Sequence, residues 1–263
     1  MISNGDGGPS AALDAAAAPP WLKPLLDNVD DVPRAYRERV PADVLAAITV
    51  ANTAATSSGA KRDAAVLVLF SGPLDAPTVG LPADADLLLT VRATTLRQHA
   101  GQATFPGGAA DPGDGGPVDT ALREANEETG VDVSRLQPLV TLDRMFIPPS
   151  GFHVVPVLAY SPDPGPVGVV DESETAIVAR VPVRAFVNPE NRLMVYRKEN
   201  TTRFAGPAFM LNQMLVWGFT GQVISAILDV AGWAQPWDTD DVRELDAAMA
   251  LVGGGTDYRE GPQ

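Results

Sequence analysis

A glycine- and proline-rich segment, 105–116, constrains the fold of this chain most strongly. It contains five glycines and two prolines and lies between a strand pattern and a helix pattern. Glycine reaches backbone conformations that other residues avoid, and proline interrupts helices and sheets, so the segment must be a loop. Such a loop lets backbone amides approach an anionic ligand, although glycine content alone favours an ordinary surface connection. No Gly-Lys-Ser/Thr follows it, which excludes a Walker loop.

Short apolar runs and helical periodicities together predict a mixed α/β fold in one domain. Strands are predicted over 64–70, 87–91, 138–142, 153–160, 175–181 and 192–196. Helices are predicted over 24–28, 41–51, 118–129, 216–230 and 240–251, with a polar break over 53–62. The resulting division is a disordered tail over 1–20, a helical extension over 21–60, a main domain over 61–235, and a short helix with a flexible acidic tail over 236–263.

Composition excludes several functional classes. The chain has no cysteine and two histidines, so disulfides, zinc–thiolate sites and histidine-rich metal sites are excluded. A formal net charge of −14 disfavours binding to nucleic acid or to anionic membranes. Apolar runs are too short to span a bilayer and no leader segment is visible, so a cytoplasmic protein acting on a small molecule is expected. An anionic substrate would need basic groups or a bound cation. The oligomeric state stays open, with a homodimer as one alternative.

Three glutamates lie on one side of the helix that follows the loop. At 100° per residue, Glu124, Glu127 and Glu128 form an acidic face opposite an apolar one. Repulsion between such neighbours costs only about 0.2–0.5 kcal/mol per pair, so a solvated surface could carry them. Alternatively, Glu124 and Glu128 could share a Mg²⁺ ion, which prefers oxygen ligands and often shares them with substrate phosphates. Loop, carboxylates and cation together would form a diphosphate-cleaving site.

The residues from Gly108 to Val131 resemble the Nudix box, which ends in Arg-Glu-x-x-Glu-Glu-x-Gly. Here that ending is Arg123-Glu-Ala-Asn-Glu-Glu-Thr-Gly130. Asp114 replaces a usual glutamate, and the spacer from it to Arg123 is one residue longer, as in the coenzyme A pyrophosphatase subfamily. The block 88–108 is similar to that subfamily's upstream motif, and Trp217-Gly-Phe-Thr220 resembles its C-terminal feature.

The resemblance implies a Nudix-type α/β/α sandwich with a mixed sheet, preceded by the helical extension, with 61–235 as the Nudix hydrolase domain. It also implies metal-dependent hydrolysis of coenzyme A or an acyl-coenzyme A to 3′,5′-ADP and the matching 4′-phosphopantetheine. One alternative is a Nudix hydrolase of another nucleoside diphosphate, such as NADH or ADP-ribose. An alternative of a different class is a non-catalytic nucleotide-sensing module on the same scaffold.

The resemblance assigns metal binding to the acidic face, which would hold Mg²⁺ or Mn²⁺ with a backbone carbonyl of Gly107 or Gly108. A further glutamate ligand is expected later in the chain at Glu174, with Glu172 as its close competitor. Arg123 is expected to pair with Asp114 and hold the loop, without facing its neighbour Glu124.

Two arginines upstream of the loop, Arg92 and Arg97, are the candidates for contacting substrate phosphates, because a guanidinium grips phosphate with two hydrogen bonds. For His99, a structural hydrogen bond is favoured over proton transfer, and His153, on an apolar strand, is expected to be a hydrogen-bonded core residue. For Trp217, packing of the last long helix is favoured over stacking with adenine.

Overall fold

The computed structural model describes residues 12–57, 62–76, 80–93, 101–148, 150–197 and 204–253. Seven α-helices lie in these residues: α1 Lys23–Leu26, α2 Val32–Glu38, α3 Ala42–Ser57, α4 Pro117–Thr129, α5 Val183–Val187, α6 Gly218–Val230 and α7 Leu245–Gly253. Twelve strands lie in them: β1 Arg62–Ser71, β2 Asp86–Arg92, β3 Ala103–Thr104, β4 Gly107–Ala109, β5 Gln137–Thr141, β6 Met145–Ile147, β7 Phe152–Ser161, β8 Thr175–Pro182, β9 Arg192–Tyr196, β10 Ala205–Leu211, β11 Met214–Val216 and β12 Val242–Glu244. No helix among these residues is long and apolar enough to cross a membrane.

A mixed sheet forms the centre of the molecule. Its strands follow the order β3-β2-β1-β7-β5, and β4, β6 and β8 pair with β1, β7 and β2 respectively. The pair β1–β7 is parallel over ten residues, and the other pairs are antiparallel. Because β1 is apolar on both faces, it needs a layer of structure on each side. The six strands predicted from sequence are all present, each within two residues of its expected ends.

Helices cover both faces of this sheet, which confirms the predicted α/β/α arrangement. On one face, α4 packs Ala121, Leu122 and Ala125 against Leu67 and its neighbours on β1 and β7. On the other face lies the larger core, which includes the apolar side of α6 and the residues just before α1. The glycine-rich segment 105–116 is therefore held between the central strand β1 and the helix α4.

The N-terminal extension is part of the core. Trp21 is 1% exposed, packs edge-on against Phe70 and Tyr160, and donates through Nε1 to the carbonyl of Pro73 at 3.0 Å. The sequence predicts a mobile tail up to residue 20, whereas the structure has Ala18 buried and the Asp14 amide donating to the Pro138 carbonyl. The difference arises because the anchoring contacts come from distant strands.

Helices α2 and α5 were not predicted from the sequence, and several helix boundaries differ from the predictions. Helix α3 continues to Ser57 through the expected polar break, where Thr53, Thr56 and Ser57 donate their hydroxyl groups to carbonyls four residues earlier. Helix α6 begins at Gly218, because Val216 pairs with Phe209 in a strand. The predicted core position of His153 is confirmed, and its Nε2 lies 2.7 Å from Asn52 Oδ1 of α3.

A second sheet of four strands, ordered β11-β10-β9-β12, lies beside the main one. Only β9 was expected from the sequence. Together with α7, this sheet encloses a small core around Leu193, Val195 and Leu215. The expected helix over 240–251 is split, since Val242 to Glu244 pair in parallel with β9 before α7 begins.

Candidate active site

Helix α4 presents the acidic face for reasons that are local to the sequence. It begins with Pro117 in its first turn and ends at Gly130, whose φ of 66° is the left-handed conformation that favours glycine. Its other side, including Val118, Leu122 and Thr129, is buried against the sheet. Helical periodicity then directs the three glutamates away from that core.

Arg123 is the hub of the loop. Its Nε and Nη2 donate to the two carboxylate oxygens of Asp114 at 3.0 Å each, and Nη2 also donates to the Ala109 carbonyl at 3.1 Å. Asp114 in turn accepts from the Asp111 amide and from the Thr120 hydroxyl. Hydrogen bonds from Arg123 hold the pKa of Asp114 far below its usual range. The expected Arg123–Asp114 pair is thus confirmed, and it ties the loop to α4.

One expectation for Arg123 is wrong. Its Nη1 donates to Glu124 at 3.0 Å and to Glu127 at 3.1 Å, although Glu124 is its immediate neighbour. The long side chain carries the guanidinium past its own helical position, so a residue one step along the chain is within reach. A guanidinium has five N–H donors, so the hydrogen bonds of Arg123 to Asp114 leave other donors for Glu124 and Glu127.

Glu124 and Glu128 face the glycine loop. The Glu124 carboxylate lies so close to Gly108 that a Cβ atom there would come within 2.4 Å of Oε2. The Gly107 amide donates to Glu128 Oε2 at 3.3 Å. Burial raises the pKa of Glu128 to about 7, and the nearby charges of Glu124 and Glu174 act in the same direction. Two carboxylates therefore meet the loop in a partly desolvated place.

Glu127 is placed differently from the other two members of the acidic face. Its side chain is 58% exposed and is ion-paired with Arg123. Within the part of the chain that the structure describes, no three acidic or histidine side chains converge as a metal-ligand group. The structure thus brings two carboxylates of the acidic face, Glu124 and Glu128, to the glycine loop. The third, Glu127, lies at the exposed rim of the site.

Of the other residues predicted for the site, some lie near Glu128 and others do not. Arg92 acts electrostatically on Glu128, lowering its pKa, so it lies at the same site. Glu174 also acts on Glu128, and its carbonyl accepts from the Ala93 amide at 2.8 Å, next to Arg92. Glu172 and Glu174 are both exposed, and of the two only Glu174 is among the charges that act on the pKa of Glu128. Arg97 and His99 lie outside the described residues.

A cavity of about 900 Å³ opens beside the loop and extends to the second sheet. Gly107, Gly108 and Arg92 line the part of the cavity that meets the loop, which we call its polar end, and further polar side chains line the cavity at Gln102, Thr104, Ser150, Thr220 and Gln222. Aromatic and aliphatic side chains line most of the rest: Phe105, Ile147, Phe152, Val195, Tyr196, Phe204, Trp217 and Phe219. Arg197 also lies on this wall, with its guanidinium 5.0 Å from the centre of the Trp217 ring.

Several of these cavity residues were missed by sequence reasoning. Tyr196 ends a predicted strand, and Phe152 directly precedes another, so neither is singled out as a site residue by the sequence. Phe204 lies just before β10, a strand that the sequence did not indicate. Among the apolar lining residues, Phe105, Trp217 and Phe219 lie in the motif blocks of the sequence analysis. No local signal marks the others, because the two sheets form the cavity jointly.

Replacing Arg123 with lysine is expected to destabilise the protein by about 1–3 kcal/mol and to lower activity. Lysine keeps the positive charge but lacks the planar guanidinium. In Arg123 that group donates to both carboxylate oxygens of Asp114 and also to Glu124. Urea unfolding and steady-state kinetics would measure both effects. Arg135→Lys is the matched control, because that arginine forms exposed pairs with Asp132 and Asp163. Equal unfolding midpoints for the two variants would contradict the role of Arg123 as a hub.

Comparisons with known proteins identify relatives of this chain. The family model described as the NUDIX domain matches residues 75–200. A protein described as the uncharacterized Nudix hydrolase NudL, from Yersinia pestis (strain Pestoides F), is 36% identical over 169 residues, which cover 64% of this chain and 78% of that protein. The NudL of Yersinia pseudotuberculosis serotype O:1b has the same identity and coverage. Among solved structures, a Nudix hydrolase from M. smegmatis, RenU, is 26% identical over 47% of this chain and 73% of that one, with a TM-score of 0.38.

Proposed function

Because the chain belongs to the Nudix hydrolase family, which acts on nucleoside diphosphate derivatives, we propose that its substrate is coenzyme A or an acyl-coenzyme A. Hydrolysis of the diphosphate linkage would release 3′,5′-ADP and 4′-phosphopantetheine or its acyl form. The observation that carries this proposal is the large cavity whose polar end is the glycine loop and whose far walls are apolar.

The shape of the cavity favours a substrate with a long, weakly polar arm beyond its diphosphate. Small-molecule sites measure about 300–1,000 Å³ and are lined mainly by apolar side chains, so this one is at the large end of the range. A pantetheine or acyl-pantetheine arm has the length and apolar content to occupy such a space. A second sugar, which ends ADP-ribose and carries the nicotinamide in NADH, would place more hydroxyl groups against Phe152, Phe204 and Val195. The motif blocks around 88–108 and Trp217 support the same substrate.

The carboxylates at the loop fit a divalent cation. Glu124 and Glu128 offer oxygen atoms only, and Mg²⁺ is usually held by one or two carboxylates together with waters and substrate phosphates. We infer that these two residues, with Glu127 and Glu174 at the rim and a carbonyl of Gly107 or Gly108, would hold Mg²⁺ or Mn²⁺. When bound, the cation would supply charge neutralisation for the phosphates and activation of water.

The protein's own groups have separable roles in this proposal. Glu128, whose pKa burial raises to about 7 in the metal-free protein, would accept a proton from an attacking water when its carboxylate is not itself bound to the cation. Arg92 binds a phosphate oxygen at the cavity's polar end. Arg123 orients Glu124 and the loop and has no direct part in the reaction.

Two further features of the proposal concern location and assembly. A coenzyme A substrate is intracellular, so we propose a cytoplasmic enzyme. We also propose a homodimer formed through α3, a helix of sixteen residues that buries none of its side chains and leaves Val50 70% exposed. Light scattering after size-exclusion chromatography measures the mass directly.

The substrate proposal predicts a clear order of activities. With Mg²⁺ or Mn²⁺ present, we expect kcat/KM for coenzyme A or an acyl-coenzyme A to exceed that for NADH and ADP-ribose by about tenfold or more, since losing apolar contacts in the cavity costs about 1–3 kcal/mol. Mass spectrometry should detect 3′,5′-ADP, and a chelator should abolish turnover. If ADP-ribose or NADH is cleaved and coenzyme A is not, the proposed substrate is contradicted, whereas the proposed hydrolase site is retained. If no diphosphate is cleaved, the nucleotide-sensing alternative is favoured.

A further inference from the structure

Two arginine side chains meet on one face of α6, away from the cavity. Arg192 is 3% exposed, and its Nη2 donates to the hydroxyl of Ser225 at 2.8 Å. Arg39, which follows α2, pairs with Asp229. Ser225 and Asp229 are one helical turn apart on the same face of α6, so their two guanidinium partners are neighbours. None of these four residues lines the large cavity.

The hydrogen-bonding capacity of this pair is only partly used. Among the residues that the structure describes, no acceptor lies within reach of the buried Nε and Nη1 of Arg192 or of the buried Nη1 of Arg39. The Arg192 guanidinium lies 4.5 Å from the ring centre of Trp237 and 5.3 Å from that of Phe209. Aromatic faces attract the charge but accept none of the in-plane N–H groups.

The charge at this place is also unbalanced. Arg39 pairs with Asp229 and also lies near the charge of Glu38, whereas no carboxylate among the described residues pairs with Arg192, in a molecule whose overall charge is strongly negative. Buried charges in proteins are paired, because a desolvated ion without a counter-ion is costly. Burial and the neighbouring Arg39 lower the pKa of Arg192 to about 10, which still leaves it protonated at neutral pH. Water could satisfy the donors but would not supply the missing negative charge.

We propose that Arg39 and Arg192 form a binding site for a small inorganic oxyanion of the phosphate or sulfate class. Guanidinium groups bind oxyanions through charge and hydrogen bonds, and Nε and Nη1 of Arg192 and Nη1 of Arg39 lack acceptors among the described residues. The site opens toward solvent at Arg39 and Asp229, whose side chains are 26% and 36% exposed. Arg192 itself is buried, which disfavours a bulky phosphate ester. The bound ion would link the extension, through Arg39, to α6 and β9.

Thermal unfolding of the full chain tests the proposal. Inorganic phosphate or sulfate at about 100 times its Kd is expected to raise Tm by about 5–10 °C relative to chloride at equal ionic strength. Adenosine monophosphate is expected to give no such shift in an Arg92→Met background, where phosphate binding at the cavity is removed. No shift with phosphate or sulfate, or an equal shift with chloride or with adenosine monophosphate, would overturn the oxyanion assignment.

Three variants locate the effect. Arg192→Met should fold, because an apolar side chain can replace a buried charge at little cost, and should weaken phosphate binding at least about tenfold by calorimetry. Arg39→Gln should do the same from the exposed side. Asp229→Asn should strengthen binding, because it removes the carboxylate that competes for Arg39. A purely structural arginine pair predicts no such gain, so unchanged or weaker binding in Asp229→Asn, or full binding in both arginine variants, rejects the site.

Discussion

Replacing Glu128 with glutamine is expected to lower kcat by about 10²–10⁴-fold while the fold is retained. Glutamine has nearly the same shape, so it can still contact the loop at Gly107, but it neither accepts a proton nor binds a cation with a full charge. The partly buried position and raised pKa of Glu128 are typical of a group that works near neutral pH. Steady-state kinetics under metal-saturating conditions would measure the loss.

The same substitution is expected to stabilise the metal-free protein. Burial disfavours the charged form of Glu128, so its pKa is higher in the folded state than in the unfolded one. Folding stability therefore falls as pH rises from about 4.5 past 7, and the full cost is present above pH 7. Removing the charge should recover about 1–3 kcal/mol at pH 8 and little at pH 4.

A substitution that lowers kcat but raises the free energy of unfolding distinguishes a functional carboxylate from a structural one. Glu172→Gln is the matched control, because Glu172 is exposed and lies near the later segment that contributes Glu174. It is expected to change kcat less than about twofold and stability by less than about 0.5 kcal/mol. Full activity of the Glu128→Gln variant would contradict the assignment of Glu128 as the central residue of the proposed site.

Replacing Gly107 with alanine is expected to destabilise the protein by about 3–5 kcal/mol, or to prevent folding. Gly107 has a φ of 155°, which L side chains rarely adopt, and a Cβ atom there would lie 2.3 Å from the Ala65 carbonyl oxygen. It would also lie 2.6 Å from the Cα of Val66. Both atoms belong to the backbone of the central strand β1, which cannot move aside without disturbing the parallel pairing with β7.

Gly113→Ala is the control within the same loop. No atom lies within 4 Å of a Cβ placed at Gly113, so this substitution should change the free energy of unfolding by less than about 0.5 kcal/mol. Urea unfolding of both variants would separate the effect of the close backbone approach at Gly107 from the effect of losing any glycine in the loop. Equal midpoints would show that Gly107 is not needed for the contact between the loop and β1.

Nearest-neighbour chemistry accounts for the parts of the molecule that the sequence predicted well. Helix α4 has its apolar stripe, its acidic face and its glycine stop within fourteen consecutive residues, so local periodicity is sufficient. The run that forms β1 is apolar and β-rich, and its burial follows from composition. The Arg123–Asp114 pair is a contact within one loop and helix, which motif spacing can indicate.

Longer-range packing accounts for what the sequence did not indicate. Strand β10 contains Gly206 and Pro207, which disfavour a strand, and β12 is only three residues long. Both exist because they pair with β9. Asp14 is held by the carbonyl of Pro138 and Ala18 by the core, so the segment before residue 20 resembles a tail when viewed alone.

The order of residues thus determined the loop, the carboxylates and the strand–helix alternation, because each depends on neighbours within a turn or a pleat. Tertiary structure decided which carboxylates face the loop, that two sheets enclose one cavity, and that Arg39 and Arg192 meet on α6. These depend on contacts between residues far apart in the chain, and burial alters the charge and reach of such groups in ways that local sequence does not encode.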